Sequence, residues 1–306
     1  QVCSRGSCKT KKWVYRKYNA SYITKCRKGI RDLKKERLDK ILVDLGYFEN
    51  KSKASAAIIA GDVRIGDEKI TKAGYQLDPS KEYDFVIKTM PYVSRGGFKL
   101  QKAIDAFNFS PKDRICFDAG ASTGGFSDCL LQRGAKFVYA VDVGYGQLAW
   151  KIRNDDRVKT IEKTNLKICT PDSIYENNEE WADLLVSDLS FISLERVLPN
   201  LKTLLNPKFH EMICLIKPQF EAGKEYIEKG GVVRNPQTHI MVINKVVECV
   251  HSLDYKIAGL THSSIKGPAG NIEYLIYFTT KDIEEIELDP VSTVENAHSE
   301  LNTSKN

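Results

Sequence analysis

The sequence contains no hydrophobic run approaching the roughly 18 consecutive apolar residues that a membrane-spanning helix needs. Its longest apolar stretches, such as residues 212–216, have the length of a buried strand. No Cys-x-x-Cys pair occurs among the 8 cysteines, so Cys3, Cys8 and Cys26 lack the usual spacing of zinc ligands. We therefore expect a soluble protein with no membrane span and no bound metal.

Acidic residues are absent from residues 1–31. Residues 1–40 hold fourteen Lys and Arg against three acids, whereas residues 281–306 hold seven acids against two lysines. A basic end attracts polyanions, but the same composition is typical of a solvated tail or of the remnant of an organelle transit peptide. We expect an extended or partly disordered basic arm over residues 1–35. Two locations stay open, the bacterial cytoplasm and the matrix or stroma of a mitochondrion or plastid.

The region after the arm has the pattern of a small α+β domain. Apolar residues at helical spacing stop at Gly46, which predicts a helix with a left-handed cap. A second helical pattern stops at Gly61, and Gly66-Asp67 then predicts the tight turn of a β-hairpin.

These features resemble the S4-type RNA-binding domain, whose pattern is matched from Arg37-Leu38-Asp39 through Gly66. The resemblance implies an RNA-binding domain over residues 36–95. Its basic side chains would hold phosphates, which supplies affinity without reading the base sequence. The side chains that we expect to contact RNA are Arg37, Lys40, Lys51, Lys53, Arg64, Lys69 and Arg95.

Apolar, strand-like runs alternate with helical patterns over residues 96–281. The candidate strands are 114–118, 136–142, 158–162, 182–188, 211–217, 256–262 and 272–280, and the clearest helices are 124–133, 191–204 and 236–253. Strands separated by helices predict an α/β fold with a mostly parallel sheet covered on both faces. Seven such strands resemble the Rossmann-like methyltransferase sheet. The acidic segment 282–306 has few apolar residues, and we expect a disordered tail there.

The first of these strands runs into a loop of small residues, DAGASTGGFS at 118–127. Small residues let a backbone approach a ligand closely at the carboxyl edge of a sheet. The spacing is not that of a dinucleotide fingerprint, and no Walker lysine follows, which disfavours NAD and ATP. An acid at the end of the second strand binds a ribose in such folds. The candidate cofactor residues are Asp118, Gly120, Ser122, Thr123, Gly124, Gly125, Phe126 and Asp142.

Four residues carry a more specific resemblance. Lys99 in SRGGFKL, Asp188 in SDLSFIS, Lys217 in IKPQFE and Glu273 in GNIEYL match the Lys-Asp-Lys-Glu tetrad of the FtsJ-like RNA 2′-O-methyltransferases. Together with the S4-type region, the chain resembles the TlyA/hemolysin A family over about residues 36–280. The resemblance implies S-adenosylmethionine as the cofactor, and a cytidine of ribosomal RNA, free or in ribosomal subunits, as the substrate.

The chemistry of such a site requires a proton acceptor, because a ribose hydroxyl is a very weak acid. A lysine is neutral near neutral pH only if burial or a second cation lowers its pKa. We expect Lys217 to accept the proton with Lys99 as the second cation, while Asp188 and Glu273 orient the two amines.

Three other functions remain as alternatives. A base methyltransferase is disfavoured because SDLSF stands where Asn/Asp-Pro-Pro-aromatic is common. A catalytically silent RNA-binding or ribosome-assembly protein would bind the cofactor without turnover. A hemolysin-like, membrane-active protein would require an apolar or strongly amphipathic segment.

Overall fold

The computed structural model describes residues 12–18, 35–48, 50–78, 81–177 and 179–303. Two compact units divide the chain after Pro91, four residues before the predicted domain boundary. Cys3, Cys8 and Cys26 lie outside the described residues. In the described part of the chain, no helix is both long and apolar enough to cross a membrane.

The first unit is built from two short helices and two small sheets. The helices are α1 (Leu38–Asp44) and α2 (Lys51–Ile59), and the strands are β1 (Lys12–Tyr18), β2 (Glu36–Arg37), β3 (Val63–Ile65), β4 (Glu68–Ile70), β5 (Gln76–Leu77) and β6 (Tyr83–Thr89). An antiparallel sheet has the order β1-β6-β3-β4, and β2 pairs with β5. Gly46 and Gly66 have φ angles of 75° and 56°, as the cap and the hairpin turn require.

The basic arm predicted over residues 1–35 contributes a strand to this unit. Strand β1 pairs along its full length with β6, from Lys12 opposite Thr89 to Tyr18 opposite Tyr83. The basic composition of the segment did not predict this pairing, because backbone groups and not side chains form the hydrogen bonds between strands. The remaining residues of the arm, apart from Lys35, lie outside the described part of the chain.

The second unit contains the predicted seven-stranded sheet. Its strands are β7 (Ile115–Ala119), β8 (Phe137–Val141), β9 (Val158–Ile161), β10 (Leu184–Ser187), β11 (Glu211–Ile216), β12 (Lys256–His262) and β13 (Tyr274–Thr279). The sheet order is β12-β13-β11-β10-β7-β8-β9. In this sheet β13 runs in the direction opposite to the other six strands. The Rossmann-like α/β prediction is therefore confirmed.

Helices surround this sheet. They are α3 (Gly96–Phe107), α4 (Gly125–Gln132), α5 (Trp150–Arg153), α6 (Leu194–Thr203), α7 (Pro218–Glu221), α8 (Pro236–Ser252) and α9 (Pro290–Thr303). Residues of the sheet and of α6, α8 and α9 share one hydrophobic core. Parallel strands buried on both faces place their carboxyl ends along one edge, where ligands of this fold class bind.

The prediction of a disordered tail over residues 282–306 is wrong for Pro290–Thr303, which form α9. Val294 and Ala297 are fully buried in the main core, and Leu301 packs against it. These three residues recur at i, i+3 and i+7, so they form a narrow apolar stripe on an otherwise polar helix. The average composition of the segment conceals that stripe.

Candidate active site

The loop after β7 has an unusual backbone. The φ angles of Gly120, Ser122 and Gly124 are 84°, 48° and 91°, which lie in a backbone region that residues other than glycine rarely adopt. A Cβ atom at Gly125 would lie 2.2 Å from Oγ of Ser94. Glycine therefore allows both the turn itself and its close packing against the segment that precedes α3.

Asp118 supports this loop from inside the protein. Its carboxylate is completely buried, and Oδ2 accepts hydrogen bonds from the backbone N (2.9 Å) and Oγ (2.6 Å) of Ser127 in α4. Burial raises the pKa of Asp118 to about 7 even though the bonds from Ser127 oppose that shift. The side chain lines neither of the cavities described next. Its geometry gives it a positioning role rather than the predicted contact with a cofactor.

Two adjoining cavities lie at the carboxyl edge of the sheet. Their volumes are about 370 and 440 Å³, within the range of small-molecule sites. The first cavity is lined by five predicted cofactor residues, Gly120, Ser122, Thr123, Gly125 and Phe126. Gly120, Ser122 and Asp142 line the second. Gly124 lines neither cavity. A Cβ atom at this position would lie 2.9 Å from Cδ1 of Leu148 and 3.2 Å from Cγ1 of Ile152.

The second cavity offers both a carboxylate and apolar surface. Oδ2 of Asp142 accepts from the backbone N of Ser122 at 2.7 Å, and Oδ1 accepts from that of Gly144 at 2.6 Å. Sequence reasoning missed several lining residues, namely Gln147, Asn165, Leu166, Leu189, Ser190 and Ile192. Asn165 and Leu166 follow β9, and Leu189 follows β10, so the rule that ligands bind beyond the carboxyl ends of the strands could have found them.

The residues of these cavities fit S-adenosylmethionine. Asp142 can accept hydrogen bonds from ribose hydroxyls, and Leu166 and Leu189 provide an apolar surface for the purine. The cradle depends on glycine, because a Cβ atom at Gly120 would lie 3.0 Å from Cδ2 of Leu189 and 3.3 Å from the carbonyl oxygen of Asp188.

The four predicted catalytic residues come together at the first cavity. Nζ of Lys99 lies 2.7 Å from Oε2 of Glu273 and 3.2 Å from Oδ2 of Asp188. Nζ of Lys217 lies 2.6 Å from Oδ1 of Asp188, and it donates to Oγ of Ser190 at 2.9 Å. Lys99, Asp188 and Lys217 line the cavity, whereas Glu273 is buried behind Lys99. The cluster thus contains two amines and two carboxyl groups, and Asp188 contacts both amines.

This arrangement fixes the charge of two members. Burial alone would lower the pKa of Lys99, but the carboxylates of Asp188 and Glu273 outweigh it and raise that pKa. Burial alone would raise the pKa of Asp188, but Lys99 and Lys217 outweigh it and lower that pKa. Lys99 is therefore held as an ammonium ion. The carboxylate of Asp188 lies between the two amines and screens the repulsion expected between them.

The predicted RNA-binding side chains have different surroundings. In the first unit, Lys51, Lys53 and Lys69 are exposed and Arg64 is half-buried. Arg37 donates to the buried carboxylate of Asp39, and Lys40 pairs with Glu36. In the second unit, Arg95 lines the first cavity, and its Nη2 donates to the carbonyl oxygen of Lys266 at 3.0 Å. Arg95 is thus the predicted RNA contact that adjoins the catalytic cluster.

Possible metal ligands are dispersed. Within the described ranges, no group of three or more His, Cys, Asp or Glu side chains is placed to hold a metal ion. The cysteines of the second unit have free thiols, and Cys116, Cys129 and Cys214 are buried in its interior.

Comparisons with known proteins agree with this geometry. Residues 92–280 match the FtsJ-like methyltransferase family, and residues 36–82 match the S4 domain. YqxC of Bacillus subtilis (strain 168), proposed to be an rRNA methyltransferase, is 43% identical over 281 residues, which cover 89% of this chain and 97% of YqxC. The Mycobacterium tuberculosis (strain ATCC 25618 / H37Rv) protein named 16S/23S rRNA (cytidine-2′-O)-methyltransferase TlyA is 40% identical over 81% of this chain and 91% of its own. A solved structure of a Streptococcus thermophilus protein, proposed to be a hemolysin, has a TM-score of 0.66 at 38% identity, covering 88% of this chain and 98% of that one. The chain therefore belongs to the TlyA/hemolysin A family of FtsJ-like methyltransferases, with an S4 domain and with S-adenosylmethionine as its cofactor.

Proposed function

We propose that the chain methylates the 2′-hydroxyl of a cytidine in ribosomal RNA, with Lys99, Asp188, Lys217 and Glu273 as the catalytic cluster. The observation that carries the proposal is the convergence of these four side chains on a cavity that adjoins the cofactor cavity. The nucleotide and the ribosomal RNA come from the name of the M. tuberculosis relative. The protein would then act wherever ribosomes are assembled, in a bacterial cytoplasm or in the matrix or stroma of an organelle.

Lys217 is the better proton acceptor of the two lysines. Lys99 contacts two carboxylates, which hold it as an ammonium ion, whereas Lys217 contacts one carboxylate and the neutral hydroxyl of Ser190. The bound cofactor supplies an electrophilic methyl group on a sulfonium. The ribose oxygen would bond to the methyl carbon as the carbon–sulfur bond breaks and leaves its electron pair on sulfur, and Lys217, as a neutral amine, would accept the hydroxyl proton.

The other members of the cluster position these groups. Asp188 holds Nζ of Lys217 at the cavity wall, and Glu273 anchors Nζ of Lys99 from behind. The ammonium of Lys99 can donate a hydrogen bond to the ribose oxygen as negative charge develops there. Exposed lysines of the S4 domain and Arg95 would bind RNA phosphates and bring the target ribose to the cavity.

Two matched substitutions test this assignment. Lys217→Arg keeps a long basic side chain beside Asp188, but a guanidinium cannot be deprotonated in a protein and so cannot accept the proton. We expect it to lower the methylation rate about 10²- to 10⁴-fold, the usual contribution of a positioned base. Lys99→Arg keeps the positive charge that Lys99 supplies, and we expect a much smaller loss. The measurement is transfer of labelled methyl from S-adenosylmethionine to unmodified ribosomal RNA and intact subunits.

The modified position is read from the product. Methylation at a 2′-oxygen protects the adjacent phosphodiester, so labelled RNA should yield nuclease-resistant dinucleotides. Label in a base would contradict the hydroxyl assignment. Equal losses for the two arginine variants would contradict Lys217 as the acceptor, and cofactor binding without transfer to any ribosomal RNA would favour a binding protein.

A further inference from the structure

A third, smaller cavity of about 280 Å³ lies in the methyltransferase domain, across one loop from the first cavity, which contains the catalytic cluster and which we call the catalytic cavity. We name the third cavity the basic cavity. Its polar lining consists of the side chains of Arg234, Lys266, His298 and Asn302, and none of the described residues that line it is acidic. Arg234 pairs with Glu228, which lies outside the lining, through Nη1 at 2.6 Å. Two basic side chains thus face a small cavity whose described lining contains no carboxylate.

The walls of the basic cavity are held in place by a buried amide. Asn271 is 1% exposed, its Oδ1 accepts from the backbone N of Val233, and its Nδ2 donates to the carbonyl oxygen of Gly231, both at 2.9 Å. These bonds tie the loop at residues 230–234 to the loop at residues 265–271. Nζ of Lys266 donates to Oδ1 of Asn302 in α9 at 2.7 Å. The loops that carry Arg234 and Lys266 are therefore held together before any ligand arrives, which reduces the entropy lost on binding.

The loop at residues 265–271 separates the basic cavity from the catalytic cavity. Ile265 and Pro268 line the catalytic cavity, whereas Lys266 and Gly270 line the basic cavity. Arg95 joins the two, because it lines the catalytic cavity and its guanidinium donates to the carbonyl oxygen of Lys266. An RNA strand whose target ribose enters the catalytic cavity has its neighbouring phosphates at the rim of that cavity. Positive charge continues from that rim into the basic cavity.

We propose that the basic cavity binds a backbone phosphate of the substrate RNA close to the target nucleotide. Lys266 and Arg234 supply the charge, and Nδ2 of Asn302, which lies 3.5 Å from Nδ1 of His298, supplies a hydrogen-bond donor. The inference rests on the proposed function, since it requires an RNA strand in the catalytic cavity. It adds a contact that fixes the strand on the methyltransferase domain itself, independently of the S4 domain.

The test compares RNA affinity with turnover in the full chain. For Lys266→Gln and Arg234→Gln we expect the dissociation constant and KM for ribosomal RNA to rise about 3- to 10-fold with kcat unchanged. Each lost phosphate contact should also reduce the slope of log affinity against log salt by about 0.7 to 0.9. Asn302→Asp places a carboxylate in the cavity and should weaken binding at least as much. Lys266→Arg should retain wild-type affinity.

Lys208→Gln is the matched control, because Lys208 is an exposed lysine that precedes β11, at the opposite edge of the sheet. Wild-type affinity and salt slope in both Lys266→Gln and Asn302→Asp would overturn the proposal.

Inorganic phosphate at constant ionic strength tests the other source of a phosphate group. Phosphate binding that depends on Lys266, with unchanged RNA affinity in the variants, would assign the cavity to the free anion. A wild-type protein that does not methylate RNA would instead refute the proposed function.

Discussion

Replacing Asp118 by Asn tests the physical role of the acid beneath the cofactor loop. The pKa of this fully buried carboxyl is raised by burial from 3.8 to about 7, so the folded state binds its proton more tightly than the unfolded state. The contribution of Asp118 to stability is therefore fully present below the unfolded-state pKa of 3.8. It is lost as the pH rises through the folded-state pKa of about 7. At 1.36 kcal/mol per pKa unit the whole effect is about 4 kcal/mol, of which about 3 kcal/mol falls between about pH 5 and pH 8.

The Asp118→Asn variant removes this titration while its Oδ1 can still accept from Ser127. The amide nitrogen of Asn would take the position of Oδ1 of Asp118, an atom that has no hydrogen-bond partner. The buried, unpaired amide would destabilise the variant by an amount that does not depend on pH. We expect the wild-type free energy of unfolding to fall by about 3 kcal/mol more than that of the variant between about pH 5 and pH 8. Urea unfolding at both pH values measures the difference. Parallel pH profiles for the two proteins would refute the account.

Two further substitutions test the cofactor loop and the last helix. Gly125→Ala places a Cβ atom 2.2 Å from Oγ of Ser94, so the loop must move, and cofactor affinity measured by calorimetry should fall about tenfold or more. Gly74→Ala, whose Cβ would meet nothing closer than 3.6 Å, should leave that affinity unchanged, and equal affinities in both variants would contradict the packing argument. Ala297→Asp buries a charge in the core beneath α9 and should lower the free energy of unfolding by about 3 kcal/mol or more in urea. The exposed change Glu295→Ala should lower it far less, and a similar effect of the two would mean that α9 does not dock as described.

The seven strands could be predicted because strands buried on both faces are short apolar runs with clear ends. Asp188 and Lys217 directly follow β10 and β11, so the parallel sheet alone implies that they are neighbours. Lys99 and Glu273 could be added only by resemblance. Their distance depends on how α3 packs on the sheet and on the one antiparallel strand, which no local pattern encodes.

The features that the sequence did not indicate depend on contacts distant in the chain. Strand β1 exists because β6, about seventy residues later, offers it a partner. Helix α9 is ordered because three small or apolar residues meet the core. The burial of Asp118 is likewise invisible in a motif, where the same acid is equally consistent with ligand contact.

The position of β13 in the sheet determines when the enzyme becomes active during its own synthesis. This strand lies between β11 and β12, and Glu273 immediately precedes it, so the catalytic cluster is incomplete until these late residues have left the ribosome. Until then β11 has an unpaired edge, which is a site for association with other chains. The S4 domain at residues 36–82 precedes the whole methyltransferase domain in the chain, so a nascent chain acquires its S4 domain before its catalytic cluster can close.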